Sequence, residues 1–147
     1  MSPHIRKFFS KEEKDDIKKA ILNAELDTSG EIRVHVESEC KEEVLDRAAF
    51  LFKKLGMENT SYRNGVLFYL AVNSQKFAII GDKGINAVVP DNFWVDIKAQ
   101  MSAQFNNSKF TDGLSEAIAA TGKHLKKHFP HHIDDINELT DEISFGK

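Results

Sequence analysis

Asn64-Gly65-Val66-Leu67-Phe68-Tyr69-Leu70-Ala71-Val72-Asn73-Ser74-Gln75-Lys76-Phe77-Ala78-Ile79-Ile80-Gly81-Asp82-Lys83-Gly84 is the stretch whose reading decides the fold. The unbroken apolar run from Val66 to Val72 is much shorter than the roughly 18 residues of a membrane span. It also lacks the alternation of a strand wet on one face, so it reads as a central strand buried on both faces. Asn73-Ser74-Gln75 permits a reversal, and the apolar run from Lys76 to Ile80 stops at Gly81, so the two runs form an antiparallel hairpin.

Upstream of the hairpin, Leu45, Ala48, Ala49, Phe52 and Leu55 recur at helical spacing over about Glu42 to Leu55, with Gly56 placed just past the helix end. Before it, Ile32, Val34 and Val36 alternate with Arg33, His35 and Glu37, the pattern of a strand with one buried face and one polar or partly covered face, nearer the sheet edge. Strand, helix and strand make a right-handed crossover with parallel strands. The sheet is therefore mixed, and its central strand needs helices on both faces. Further back, Ser10 and Glu13 have capping-box spacing, and Ile17, Ala20, Ile21 and Ala24 predict a first helix to about Leu26, broken by Thr28-Ser29-Gly30.

Downstream, Ile85, Ala87, Val88 and Val89 fit either a turn of helix or a small fourth strand. Pro90-Asp91-Asn92 starts a helix with Trp94, Ile97, Met101 and Phe105 on its buried face. After Asn106-Asn107-Ser108, a long helix carries Phe110, Leu114, Ala117, Ile118, Thr121 and Leu125 inward and ends at Phe129-Pro130. Residues 1–130 are read as one domain and 131–147 as an acidic tail that either packs as an extended arm or stays mobile.

The 147 residues suffice for one well-buried core, and a net charge of -3 gives no reason to expect nucleic acid or a membrane surface as partner. Cys40 is the single cysteine, so no intramolecular disulfide forms, and its acidic neighbours disfavour the thiolate. No apolar run suggests a secretory leader or membrane span, so a cytoplasmic monomer is expected.

Signatures such as GxSxG, HExxH, a phosphate loop or a cysteine pair are absent from the sequence. Topology carries the site argument instead. With the first two strands parallel and the third antiparallel, Gly30-Glu31, Arg63-Asn64 and Gly81-Asp82 meet at one sheet edge, and the Lys83-Gly84 bend can bring in Asp91. Carboxylates, an amide and backbone carbonyls suit hard cations, calcium or magnesium. The plainer reading is that polar residues gather where chains turn. His124, His128, His131 and His132 lack the further ligands of a zinc centre, and Asp46 with Arg47 reads as a solvated helix face without an ion pair.

Arg63-Asn64-Gly65-Val66-Leu67-Phe68-Tyr69-Leu70 and Lys76-Phe77-Ala78-Ile79-Ile80-Gly81-Asp82-Lys83-Gly84-Ile85 resemble the core of the TPM domain family. Thr28-Ser29-Gly30-Glu31-Ile32-Arg33-Val34, Phe93-Trp94, Phe110-Thr111-Asp112-Gly113-Leu114 and the Asp134 to Phe145 ending agree with it in order, and the ending is like that of short soluble bacterial members. The resemblance implies an α/β/α sandwich of three layers around a twisted mixed β-sheet. It also implies one of several roles: acid phosphatase activity, divalent-cation binding, or accessory work on membrane complexes. Arg63 stands where many relatives have an acidic residue. Glu31, Asn64, Asp82 and Asp91 carry over as metal-ligand candidates. The expected function is divalent-cation binding, ahead of a protein-interaction module with a protein partner and of a phosphatase, for which no nucleophile stands out.

Overall fold

The computed structural model describes residues 5–130 and 143–146. After a short 3-10 turn, helix α1 spans Lys11–Glu25. Its start is the expected capping box: the Ser10 hydroxyl accepts from the Glu13 N–H at 3.1 Å, and the Glu13 carboxylate accepts from the Ser10 N–H at 2.8 Å. Ser10→Ala is expected to lower stability by about 1 kcal/mol, read as a small drop in the urea midpoint at unchanged slope.

Strand β1 (Glu31–Glu37), helix α2 (Val44–Lys54), strand β2 (Gly65–Ala71) and strand β3 (Lys76–Gly81) follow as read, and residues 83–86 settle the open alternative as a one-turn helix, α3. Helices α4 (Phe93–Asn106) and α5 (Phe110–His128) and a two-residue strand β4 (Ser144–Phe145) complete the described chain. The sheet order is β3-β2-β1-β4, with β1 parallel to β2 and to β4, and β3 antiparallel to β2. Of the acidic tail, 131–142 and 147 lie outside the described residues. Ser144 and Phe145 pair with His35 and Val36, so this part of the tail packs as an extended arm on the outer edge of β1.

All seven residues of β2 are buried, the physical consequence of a central strand covered on both sides. Val66, Phe68 and Leu70 join Ile32, Val34 and Val36 under α1, α4 and α5, while Leu67, Tyr69 and Ala71 pack with Ala48, Leu51 and Phe52 of α2. These are the three layers. Two helical faces differ from expectation. In α2 the buried residues are Ala48, Leu51 and Phe52, whereas Leu45 and Ala49 face solvent, because the sheet takes a narrower stripe than the apolar residues offer. In α4, Trp94 is only half-buried, since its indole N–H reaches Asn86 Oδ1 at 2.8 Å near the surface.

Candidate functional site

Three segments meet at the amino-terminal edge of the parallel strands. Glu31 pairs with Gly65, Val66 pairs with Gly81, and the Asp82 N–H donates to the Gly65 carbonyl at 2.9 Å, so the expected convergence of Glu31, Asn64 and Asp82 follows from register. Thr28 anchors the first segment: its hydroxyl donates to the Leu125 carbonyl at 2.9 Å and accepts from the Gly30 N–H at 3.1 Å. Thr60 anchors the second by accepting from the Asn64 N–H at 3.1 Å. Gly84 lets α3 approach this loop, since its N–H donates to the Arg63 carbonyl at 2.8 Å and an added Cβ would lie 2.6 Å from that oxygen.

Within this edge Glu31, Asn64 and Asp82 are all buried. With the Asn64 amide placed so that Nδ2 donates to Ser29 Oγ at 3.2 Å, its Oδ1 is buried with no hydrogen-bond partner. Such an orphan acceptor is unusual in a folded interior. Asp82 is engaged. Arg63 holds it with two parallel bonds, Nε to Oδ2 at 2.6 Å and a terminal nitrogen to Oδ1 at 2.9 Å, and Oδ1 also accepts from the Lys83 N–H at 2.8 Å. The Asp82 hydrogen bonds and charge raise the Arg63 pKa, with a smaller contribution from Glu58. Arg63 sits at a φ of 52°, a left-handed conformation uncommon for a long side chain. Asp91 is exposed in the turn before α4 and does not join the buried set. Among the described residues, no three His, Cys, Asp or Glu side chains form a group able to hold a metal ion.

The opposite, carboxyl-terminal end of the parallel strands holds a cluster that the sequence reading passed over. Glu37 is 1% exposed, and its carboxylate accepts from Arg47 at 3.0 and 2.6 Å and from the Tyr69 hydroxyl at 2.6 Å. Arg47 is thus an ion-pair partner and not part of a solvated face. Its spacing from Glu37 follows no helix or strand period, because the crossover loop joins them; Tyr69 comes from the neighbouring strand, two residues before the paired position of Glu37. His35 Nδ1 lies 2.7 Å from Ser144 Oγ, and His35 Nε2 stands 3.5 Å from Glu37 Oε2. Ser144 Oγ also lies 3.3 Å from the Val34 carbonyl, to which it donates, so its proton serves the backbone. Gly146 closes the cluster, since a Cβ there would lie 2.5 Å from Glu37 Oε2.

Burial raises the Glu37 carboxyl, but its partners outweigh burial and hold it at about 2, against 4.5. At 3.5 Å the His35 contact is the weakest of these, so Arg47 and Tyr69 carry most of the lowering. Tyr69 is pushed well upward by burial and by the Glu37 carboxylate. A depressed carboxylate stabilises the fold above its unfolded pKa, and that contribution is lost as pH falls through the folded value. Urea midpoints are therefore expected to fall as pH drops from 4.5 towards about 2, and Glu37→Gln should flatten this fall.

At α5 the His124 and His128 rings stack with centroids 6.2 Å apart, and burial, with the charges of His128 and Lys127, lowers the His124 pKa. His131 and His132 lie outside the described residues. Cys40 is buried, with its thiol donating to the Glu42 carbonyl at 3.3 Å. No helix among the described residues is long and apolar enough to cross a membrane.

The model of the TPM domain family matches residues 5–124, most of the chain, with strands β1 to β3 inside the match. This chain belongs to the TPM domain family. The TPM fold is also seen in the NMR structure of BA42 from the psychrophilic bacterium Bizionia argentinensis, 47% identical, with a TM-score of 0.87 over 95% of this chain and 96% of that one. The N-terminal domain of a P. gingivalis protein is 19% identical, with a TM-score of 0.69 over 84% of this chain and 82% of that one. That of cg2496 from Corynebacterium glutamicum is 13% identical, with a TM-score of 0.65 over 86% of each. These two carry the fold alone. No curated protein is a significant match.

Proposed function

We propose that this TPM domain binds a divalent cation, calcium or magnesium, at the amino-terminal edge of its sheet through Glu31, Asn64 and Asp82, with Asp91 as an outer acidic residue. The observation that carries this reading is the buried Asn64 Oδ1, an oxygen acceptor without a partner at the sheet edge where Glu31 and Asp82 are also buried. A hard cation takes oxygen ligands of these kinds, and calcium tolerates the irregular geometry that a strand edge supplies. The donor set fits in the Asn64 amide oxygen, and Glu31 adds a buried carboxylate at the same edge. Asp82 fits once its guanidinium partner is released, because its Oδ2 then has both lone pairs free.

Isothermal titration of the metal-free protein with calcium chloride and with magnesium chloride tests this. A saturable one-site isotherm is expected for the wild type, and Asp82→Ala should weaken it at least about tenfold. Equal affinity in a folded Asp82→Ala protein, checked by circular dichroism, would contradict the assignment.

A further inference from the structure

Arg63 stands between two carboxylates. It is bonded at 2.6 and 2.9 Å to Asp82, and its terminal nitrogen lies 3.8 Å from Glu58 Oε2, too far for a hydrogen bond but within ion-pair range. Arg63 and Glu58 side chains are 35% and 37% exposed, so both can move, whereas Asp82 is 7% exposed and fixed as the cap of α3. Arg63 and the Lys83 N–H take up Oδ1 and Arg63 takes one lone pair of Oδ2, so a cation could reach Asp82 only at the remaining Oδ2 position, within a few ångströms of the guanidinium, whose like charge opposes it.

We propose that Arg63 is a built-in counter-ion that competes with the cation for Asp82, and that Glu58 receives the guanidinium when the cation enters. This inference rests on the cation reading above and adds how that site is controlled. The chain then has two arrangements, with Arg63 on Asp82 in the absence of cation and on Glu58 in its presence. The exchange favours divalent ions. Sodium or potassium brings the single charge of the guanidinium it displaces without its two directed hydrogen bonds, whereas calcium or magnesium brings twice the charge. Glu58 limits the cost of release by keeping the guanidinium paired.

Three titrations with calcium chloride, on wild type, Arg63→Gln and Glu58→Gln, decide the matter. Removing the competitor should tighten binding by about tenfold, and removing its receiving partner should weaken binding by about threefold. The wild type supplies a reading that no substitution confounds: the Arg63 Nε–H resonance should move together with the Asp82 and Asn64 amides as calcium is added. If the wild type binds calcium at these amides but Arg63→Gln is no tighter, or if the Nε–H resonance stays fixed during the titration, the competition is overturned and the cation site stands. If none of the three proteins binds, the cation reading falls and the competition with it.

Discussion

Glu37→Ala is expected to lower the unfolding free energy by about 3–5 kcal/mol, the range seen when one partner of a buried ion pair is removed. The loss has two sources. Arg47 loses its two-pronged carboxylate partner, and the Tyr69 hydroxyl, buried with its ring, loses its acceptor. Because the Arg47 side chain is 26% exposed, water can reach part of the guanidinium, which places the expected value towards the lower end of the range. The Ser144–Gly146 segment lies over the same carboxylate, so its packing should loosen as well. Urea unfolding at neutral pH measures the loss; a change under about 1 kcal/mol would mean that the pair stabilises no more than a surface bridge.

Gly84→Ala is expected to cost about 2–4 kcal/mol through forced displacement of backbone. A methyl group there meets the carbonyl oxygens of Tyr62 and Arg63, and neither has a flexible side-chain end that could yield. The strain falls on the loop that positions Arg63 and Asn64, so the variant should also lose the paired geometry of Arg63 with Asp82. Gly56→Ala makes a useful contrast, because it introduces a residue at a φ of 72° with only a side-chain amide nearby, and its cost should be about 1 kcal/mol. Equal stability of Gly84→Ala and wild type would show that the α3 turn is not packed against residues 62–63 as described.

Much of the fold was legible because its signals are local. The apolar run of β2 required cover on two faces, the capping box fixed the start of α1, and Gly56 marked the end of α2. Register then followed from the order of elements, which is why the convergence of the segments bearing Glu31, Asn64 and Asp82 was legible in the sequence. Partners within that convergence were not. Nothing in the order of residues says that Arg63 turns onto Asp82, since that depends on a left-handed backbone at one loop residue. The Glu37 cluster was missed for a related reason: alternation in β1 marks His35 and Glu37 as the polar face, but the cover supplied by Arg47, Tyr69, Ser144 and Gly146 comes from three separate segments of the chain. The strongest signal available was the identity of the residues themselves, a histidine and two acids on a strand beside a fully apolar one.

Backbone NMR titration of the metal-free protein with calcium and then magnesium tests the central claim most directly. The account predicts saturable shifts confined to residues 30–33, 63–65 and 81–91, with Asn64 among the largest because its Oδ1 gains a partner. Shifts scattered over surface carboxylates, or none at the amino-terminal edge, would contradict it.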